Sequence, residues 1–191
     1  KKPKWMEKED MRGWVTAEYS LLPTSTSTRC QRERSKVSGR TQEIQRLIGR
    51  ALRSCVDLEK LGERTIIIDA DVIQADGGTR CASICGGFVA LSIAINKLIK
   101  EGKLEQSPII EPIAAVSAGI YDGEVILDLN YIEDSHAQVD SNAVMTQSGK
   151  VIEFQTTAEG APYDIEKMNE IVELSKDAIK KIISLYPNTE V

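Results

Sequence analysis

The chain has 191 residues, 41% hydrophobic and 28% charged, and its 24 Lys and Arg against 29 Asp and Glu leave a formal net charge of -5. Those values fit an ordinary globular protein, one domain over residues 1–191, and argue against indiscriminate nucleic-acid binding by the whole surface. No run approaches the roughly 20 apolar residues that cross a bilayer, so no membrane role is expected and the cytoplasm is the expected compartment.

Residues 14–19 alternate aromatic or branched side chains with smaller ones and read as a strand, which Pro23 and the following Ser/Thr run interrupt. A polar loop follows. From Thr41, the residues Ile44, Leu47, Ile48, Ala51, Leu52 and Cys55 recur at helical spacing, which predicts an amphipathic helix closing near Gly62. Residues 65–72 are short and isoleucine-rich, as in a buried strand, and Ile84, Phe88, Leu91, Ile95 and Leu98 predict a helix ending near Gly102.

Residues 113–121 and 124–131 read as strands joined by Asp122-Gly123, a pair that accepts the positive φ angles of a tight hairpin. A polar, acidic loop is expected over residues 133–140. Residues 143–146 and 151–156 form a second predicted hairpin around Ser148-Gly149, and a last helix runs from about Ile165 to Leu185. The sum is an α/β arrangement: a mixed sheet with an antiparallel meander and packed helices.

The four cysteines, Cys30, Cys55, Cys81 and Cys85, form no disulfide framework and no Cys-x-x-Cys pair, so reduced, packed thiols are expected. Basic residues cluster instead. Arg29, Arg32, Arg34, Lys36, Arg40, Arg46, Arg50 and Arg53 face only Glu33 and Glu43 within that stretch, which places a basic patch on an acidic body.

Between the isoleucine-rich strand and the next helix the chain reads Gln74-Ala75-Asp76-Gly77-Gly78-Thr79-Arg80. Two glycines let a backbone approach an anion, Thr79 can cap the helix, and Arg80 offers a forked cation, so phosphate is the natural guest. The ending is not Gly-Lys-Ser/Thr, and the spacing is not Gly-x-Gly-x-x-Gly, which excludes both common nucleotide loops. Read alone, the turn fits a plain crossover equally well. Arg40, behind Ser38-Gly39 at a helix start, is a second phosphate candidate. Asp134 and Asp140, six residues apart on the acidic loop, could meet at one magnesium or other divalent ion; a solvated loop is the competing reading. His136 is an isolated surface histidine, and Asp128 stays outside the site.

The segments Gly13-Trp14-Val15-Thr16-Ala17-Glu18-Tyr19, Ser38-Gly39-Arg40-Thr41-Gln42-Glu43, Gln74-Ala75-Asp76-Gly77-Gly78-Thr79-Arg80, Ala114-Ala115-Val116-Ser117 and Thr157-Ala158-Glu159-Gly160 together resemble the bacterial ribonuclease PH family, within the group that includes polynucleotide phosphorylase and exosome ring subunits. The resemblance implies a ribosomal protein S5 domain 2-like α/β fold. It implies phosphorolytic trimming of RNA 3′ ends, tRNA precursors above all, with inorganic phosphate as co-substrate and nucleoside diphosphates as products. On this sequence Arg40, Gly78, Thr79 and Arg80 match phosphate-binding positions, Asp134 and Asp140 match catalytic, metal-associated carboxylates, and Arg29 and Arg32 match RNA-contacting positions. A homo-hexamer built as a trimer of dimers is implied too.

Departures from the family pattern are visible. Thr24 and Ser27 stand where arginine and histidine are usual, the loop over residues 30–37 is short, Thr156 replaces a common glycine, and N-terminal strands are expected to be missing. A non-catalytic, RNA-binding ring subunit is the alternative reading, and a small-molecule phosphorylase is a more distant one.

Overall fold

Two small sheets sandwich the central helices of this computed structural model, which describes residue 6 and residues 10–187; the chain's start, with the expectation about missing strands, lies outside the described residues. Strand β1 (Trp14–Leu21) is followed by helices α1 (Gly39–Ser54) and α2 (Leu58–Leu61), and strand β2 (Thr65–Val72) returns parallel to β1 from Trp14↔Thr65 to Leu21↔Val72. Helix α3 (Thr79–Lys100) leads to β3 (Ile113–Tyr121), β4 (Glu124–Leu127), α4 (Tyr131–His136), β5 (Val139–Thr146), β6 (Val151–Ala158) and α5 (Ile165–Ser184). The second sheet is antiparallel in the order β4-β3-β5-β6, so β5 pairs with β3 and leaves β4 at the edge. A simple meander would have paired β4 with β5.

Helices α1, α2 and α4 start where a side chain meets their first amides. Ser38 Oγ accepts the Thr41 N–H at 3.2 Å to open α1. That helix ends at Ser54, short of the expected Gly62, because Val56 bridges to Ile109 and the Asp57 carboxylate caps the Glu59 and Lys60 amides at 3.1 Å, starting α2 afresh. Arg53 closes the contact with β1: its guanidinium donates to the Val15 carbonyl at 2.8 Å and lies 4.3 Å from the Trp14 ring. A residue from the basic stretch is therefore structural.

The hairpin at Asp122-Gly123 is present, with φ of 49° and 81°. The expected strand through residue 131 and the acidic loop after it are not. Asp128 turns the chain at φ 55°, and Asn130 opens α4 with a reciprocal cap: its Oδ1 accepts from Ile132 and Glu133 amides at 2.9 and 3.0 Å, while Glu133 Oε2 accepts the Asn130 N–H at 2.9 Å. Asn130-x-x-Glu133 is a legible start signal that the hydrophobic pattern hid. Strand β5 likewise begins at Val139, ahead of the expected residue 143, so Asp140 is a strand residue.

Alternation then divides the antiparallel sheet between two helices. Ala114, Val116 and Ala118 of β3, with Val139, Ala143 and Met145 of β5, pack toward Ile171, Ile179 and Ile183 of α5. Ile113, Ala115 and Val144 face the other way and join α1, β1, β2 and α3 in the main core. Helix α3 is long and apolar enough by length and composition to cross a membrane, which the count of apolar runs overlooked. Its apolar face is occupied within the fold, since Ile84, Phe88, Leu91 and Ile95 are fully buried. Burial also pushes the Cys55 thiol up to about 12 and raises Cys81 and Cys85, and all four cysteines are free.

Phe88 sits where α3 meets the core and stacks on Tyr186 with ring centroids 5.6 Å apart. Phe88→Ala is expected to lower unfolding free energy by about 3–5 kcal/mol in urea denaturation.

Candidate active site

The turn between β2 and α3 has no room for side chains. A Cβ on Gly77 would stand 1.9 Å from the Leu129 carbonyl oxygen, and Gly78 holds φ 69°, so both positions require glycine. Gly78, rather than Thr79, is the N-cap of α3, and no side chain caps that helix. Its first helical bond runs from the Ala82 N–H to the Gly78 carbonyl at 3.0 Å, which leaves the earlier amides of the first turn outside the helical ladder. Thr79 Oγ1 is instead engaged by Tyr19 Oη of β1 at 2.9 Å.

Asp76 joins this turn to the next element. Its Oδ1 accepts the Gly77 N–H at 2.9 Å and also the Tyr131 N–H at the start of α4. Since α4 carries Asp134, one carboxylate fixes the spacing between the glycine turn and a candidate catalytic acid. An Asp ahead of two glycines is a turn-forming signal in the sequence, but Asp76 gains this role only where α4 comes to lie against the turn.

Asp140 reaches the site by alternation on β5. The residues of β3 and β5 that point toward α3 include Ser117, Asp140 and Asn142, just beyond the end of the apolar series Ile113, Ala115 and Val144. Burial raises the Asp140 carboxyl above its ordinary range, the Asp134 charge adds to the rise, and Arg80 and the Ser141 amide oppose it. Asp134 and Asp140 thus come from a helix and a strand, not from one loop, and are close enough to repel.

A cleft of about 890 Å³ collects these groups: Arg40, Gly78, Thr79 and Arg80 line it together with Asp134 and Asp140. Arg40 lies in the first turn of α1, exposed and in no ion pair among the described residues, whereas Arg80 Nη1 is 3.7 Å from Glu43 Oε1. Arg29 and Arg32 do not line the cleft. They are exposed on the loop that continues from Thr26, Ser27 and Thr28, which form part of its wall.

His136 bonds within its own helix, its Nδ1 2.8 Å from the Ile132 carbonyl oxygen, and lies outside the cleft lining. Thr156 is hydrogen-bonded to Ser141 and Tyr163, so the replaced glycine is absorbed away from the cleft. Asp128 is nearer to the site than its sequence position suggested, with Oδ1 4.0 Å from where a Gly78 Cβ would be.

The arrangement defines an α/β protein with an uncapped, glycine-rich helix start and a pair of carboxylates lining one cleft. The sequence matches the 3′ exoribonuclease family, with its domain 1 over residues 1–95 and its domain 2 over residues 111–178, and the chain belongs to that family. It is 58% identical to ribonuclease PH of Neisseria gonorrhoeae (strain NCCP11945) over 178 residues, 92% of this chain and 74% of that protein. With ribonuclease PH of Crocosphaera subtropica it shares 57% over 173 residues, 91% of this chain and 72% of the relative. These relationships make it a phosphorolytic 3′ exoribonuclease. The fold is also that of a chain in the Archaeoglobus fulgidus exosome with RNA bound to the active site, at TM-score 0.74, 19% identity, and coverage of 95% and 74%. Rice Rrp46 matches at TM-score 0.71 and 18% identity, over 96% of this chain and 77% of that one.

Gly77→Ala is expected to destabilise the fold by about 1–3 kcal/mol, because the new methyl collides with backbone and not with a side chain that can turn away; thermal melting checks this. For Asp140, the raised folded-state pKa means that stability present below the unfolded carboxyl value is lost as pH rises through the folded one. Asp140→Asn should therefore melt above the parent protein at pH 7 in metal-free buffer, with the difference vanishing near about pH 3.

Proposed function

We propose that the protein trims the 3′ ends of RNA, tRNA precursors foremost, by attack of inorganic phosphate on the terminal phosphodiester. The observation that carries this reading is the single cleft in which Arg40, the Gly78-Thr79-Arg80 helix start, Asp134 and Asp140 all meet. Phosphate would rest on the uncapped first turn of α3, between the Arg40 and Arg80 guanidinium groups. One of its oxygens forms a bond to the terminal phosphorus as the bond to the 3′ oxygen breaks. The products are a nucleoside 5′-diphosphate and an RNA one residue shorter, whose new 3′ hydroxyl takes up a proton.

Nothing in that exchange requires a protein nucleophile. Placing two anionic reactants in line and offsetting their charge is the main work, and fixed donors in a partly enclosed cleft do it without reorganising. Arg80 must leave Glu43 or share with it when phosphate arrives, while Arg40 is already free to bind.

Asp134 and Asp140 suit a magnesium ion, which commonly takes one or two protein carboxylates and completes its shell with water and substrate phosphate. Burial and then the Asp134 charge raise Asp140, and a divalent cation beside the two carboxylates would offset both. When bound, such an ion supplies stabilisation of charge on the departing oxygen.

Arg29 and Arg32, exposed beyond the cleft wall, would hold RNA backbone. The short exposed basic loop on a chain of net charge -5 favours a ring, in which loops from several copies act together on one RNA; a hexamer arranged as a trimer of dimers fits that need. The free thiols support a reducing compartment, the cytoplasm.

The test is a 3′-tailed tRNA precursor incubated with protein and magnesium, with and without inorganic phosphate. Nucleoside diphosphates released only with phosphate are expected; monophosphates, or no release, would overturn the reading. Arg80→Ala should raise KM for phosphate by about tenfold or more, while Asp134→Ala should lower kcat by about a hundredfold with RNA affinity retained.

A further inference from the structure

Ser117 lies in the middle of β3 and is 3% exposed, yet its Oγ has no hydrogen-bond partner. Its backbone is satisfied, since Ser117 pairs with Asn142 of β5 and its carbonyl accepts the Asp128 N–H at 2.8 Å. The side chain alone is left over. Buried hydroxyls almost always find a partner, so an orphan in the wall of a binding cleft points to a group that arrives with the ligand.

Its position says which ligand group. Ile113 and Ala115 precede it on the same face and belong to the core; Ser117 is the first residue of that series to line the cleft. The neighbouring Asn142 Oδ1 is already engaged by the Cys81 thiol at 3.2 Å. Toward α3, Ser117 Oγ looks at Gly78, and a Cβ on that glycine would stand 3.2 Å from the hydroxyl. Glycine at 78 therefore leaves the hydroxyl facing the anion-binding turn without a side chain between them.

We propose that Ser117 is a further substrate-binding residue, whose Oγ–H donates to an oxygen of the inorganic phosphate held at the Gly78-Thr79-Arg80 turn. This rests on the phosphorolytic site described above and extends it: the turn and the arginines hold the anion from the α3 and α1 sides, and Ser117 holds it from the sheet. The contact is neutral and needs no change of protonation, so it orients the anion without adding to the charge of the site.

Ser117→Ala removes the hydroxyl with little change of shape. Losing a hydrogen bond to a charged group should raise KM for phosphate by about tenfold or more, with KM for RNA unchanged. Without phosphate the variant should melt no lower than the parent, because an unpaired buried hydroxyl has been removed. Added inorganic phosphate should then raise the parent's melting temperature more than the variant's. An unchanged KM for phosphate together with an equal melting shift overturns the proposal, as does a variant that melts lower while binding phosphate normally. Thermal shift with phosphate alone keeps this separate from the enzymatic reading. A parent that binds phosphate through Ser117 but releases no diphosphate from RNA sinks the reaction and keeps the contact; a parent that does neither sinks both.

Discussion

The close approach of Gly77 to the Leu129 carbonyl sets the geometry on which the site depends. With 1.9 Å between that oxygen and any Cβ, the backbone of the β2–α3 turn is pressed against the chain leaving β4, and only glycine permits it. Asp76 then bonds amides on both sides of the contact, in the turn at Gly77 and at the start of α4 at Tyr131. The glycine turn and the helix carrying Asp134 are thereby held together.

Charge is distributed to the same end. Arg53 and Arg50 are consumed by structure, one against Trp14 and Val15 and the other 3.4 Å from Glu153, so the basic stretch delivers fewer free cations than its composition suggests. Of that stretch, Arg40 at the α1 start lines the cleft and Arg29 and Arg32 lie on the exposed loop beyond its wall, while Arg80, from the start of α3, lies inside the cleft with Glu43 beside it. Opposite them, Asp140 is raised by burial and by the Asp134 charge.

How much of this the sequence disclosed depended on the range of the signal. Local patterns were legible: the Asp122-Gly123 hairpin, the amphipathic α1, and the glycine turn between a strand and a helix all follow from residues within a few positions of each other. The order β4-β3-β5-β6 was not, because a strand's partner is chosen by distant surfaces, and Asp140 is a strand residue through its pairing with Gly119 of β3. The acidic loop failed differently. Asn130 and Glu133 form a reciprocal helix cap, but among mostly polar residues with no apolar period their three-residue spacing does not stand out. Asp76, Tyr19 and Ser117 acquire their roles only when β1, β3 and α4 converge on the turn, and no pattern along the chain encodes that convergence.

The most direct measurement is the position of the anion itself. Crystals soaked with arsenate, a phosphate mimic that the arsenic anomalous signal locates without ambiguity, should show it at the start of α3, within hydrogen-bonding distance of Arg80 and Ser117. An anion found elsewhere, with that turn unliganded at saturating concentration, would contradict the account.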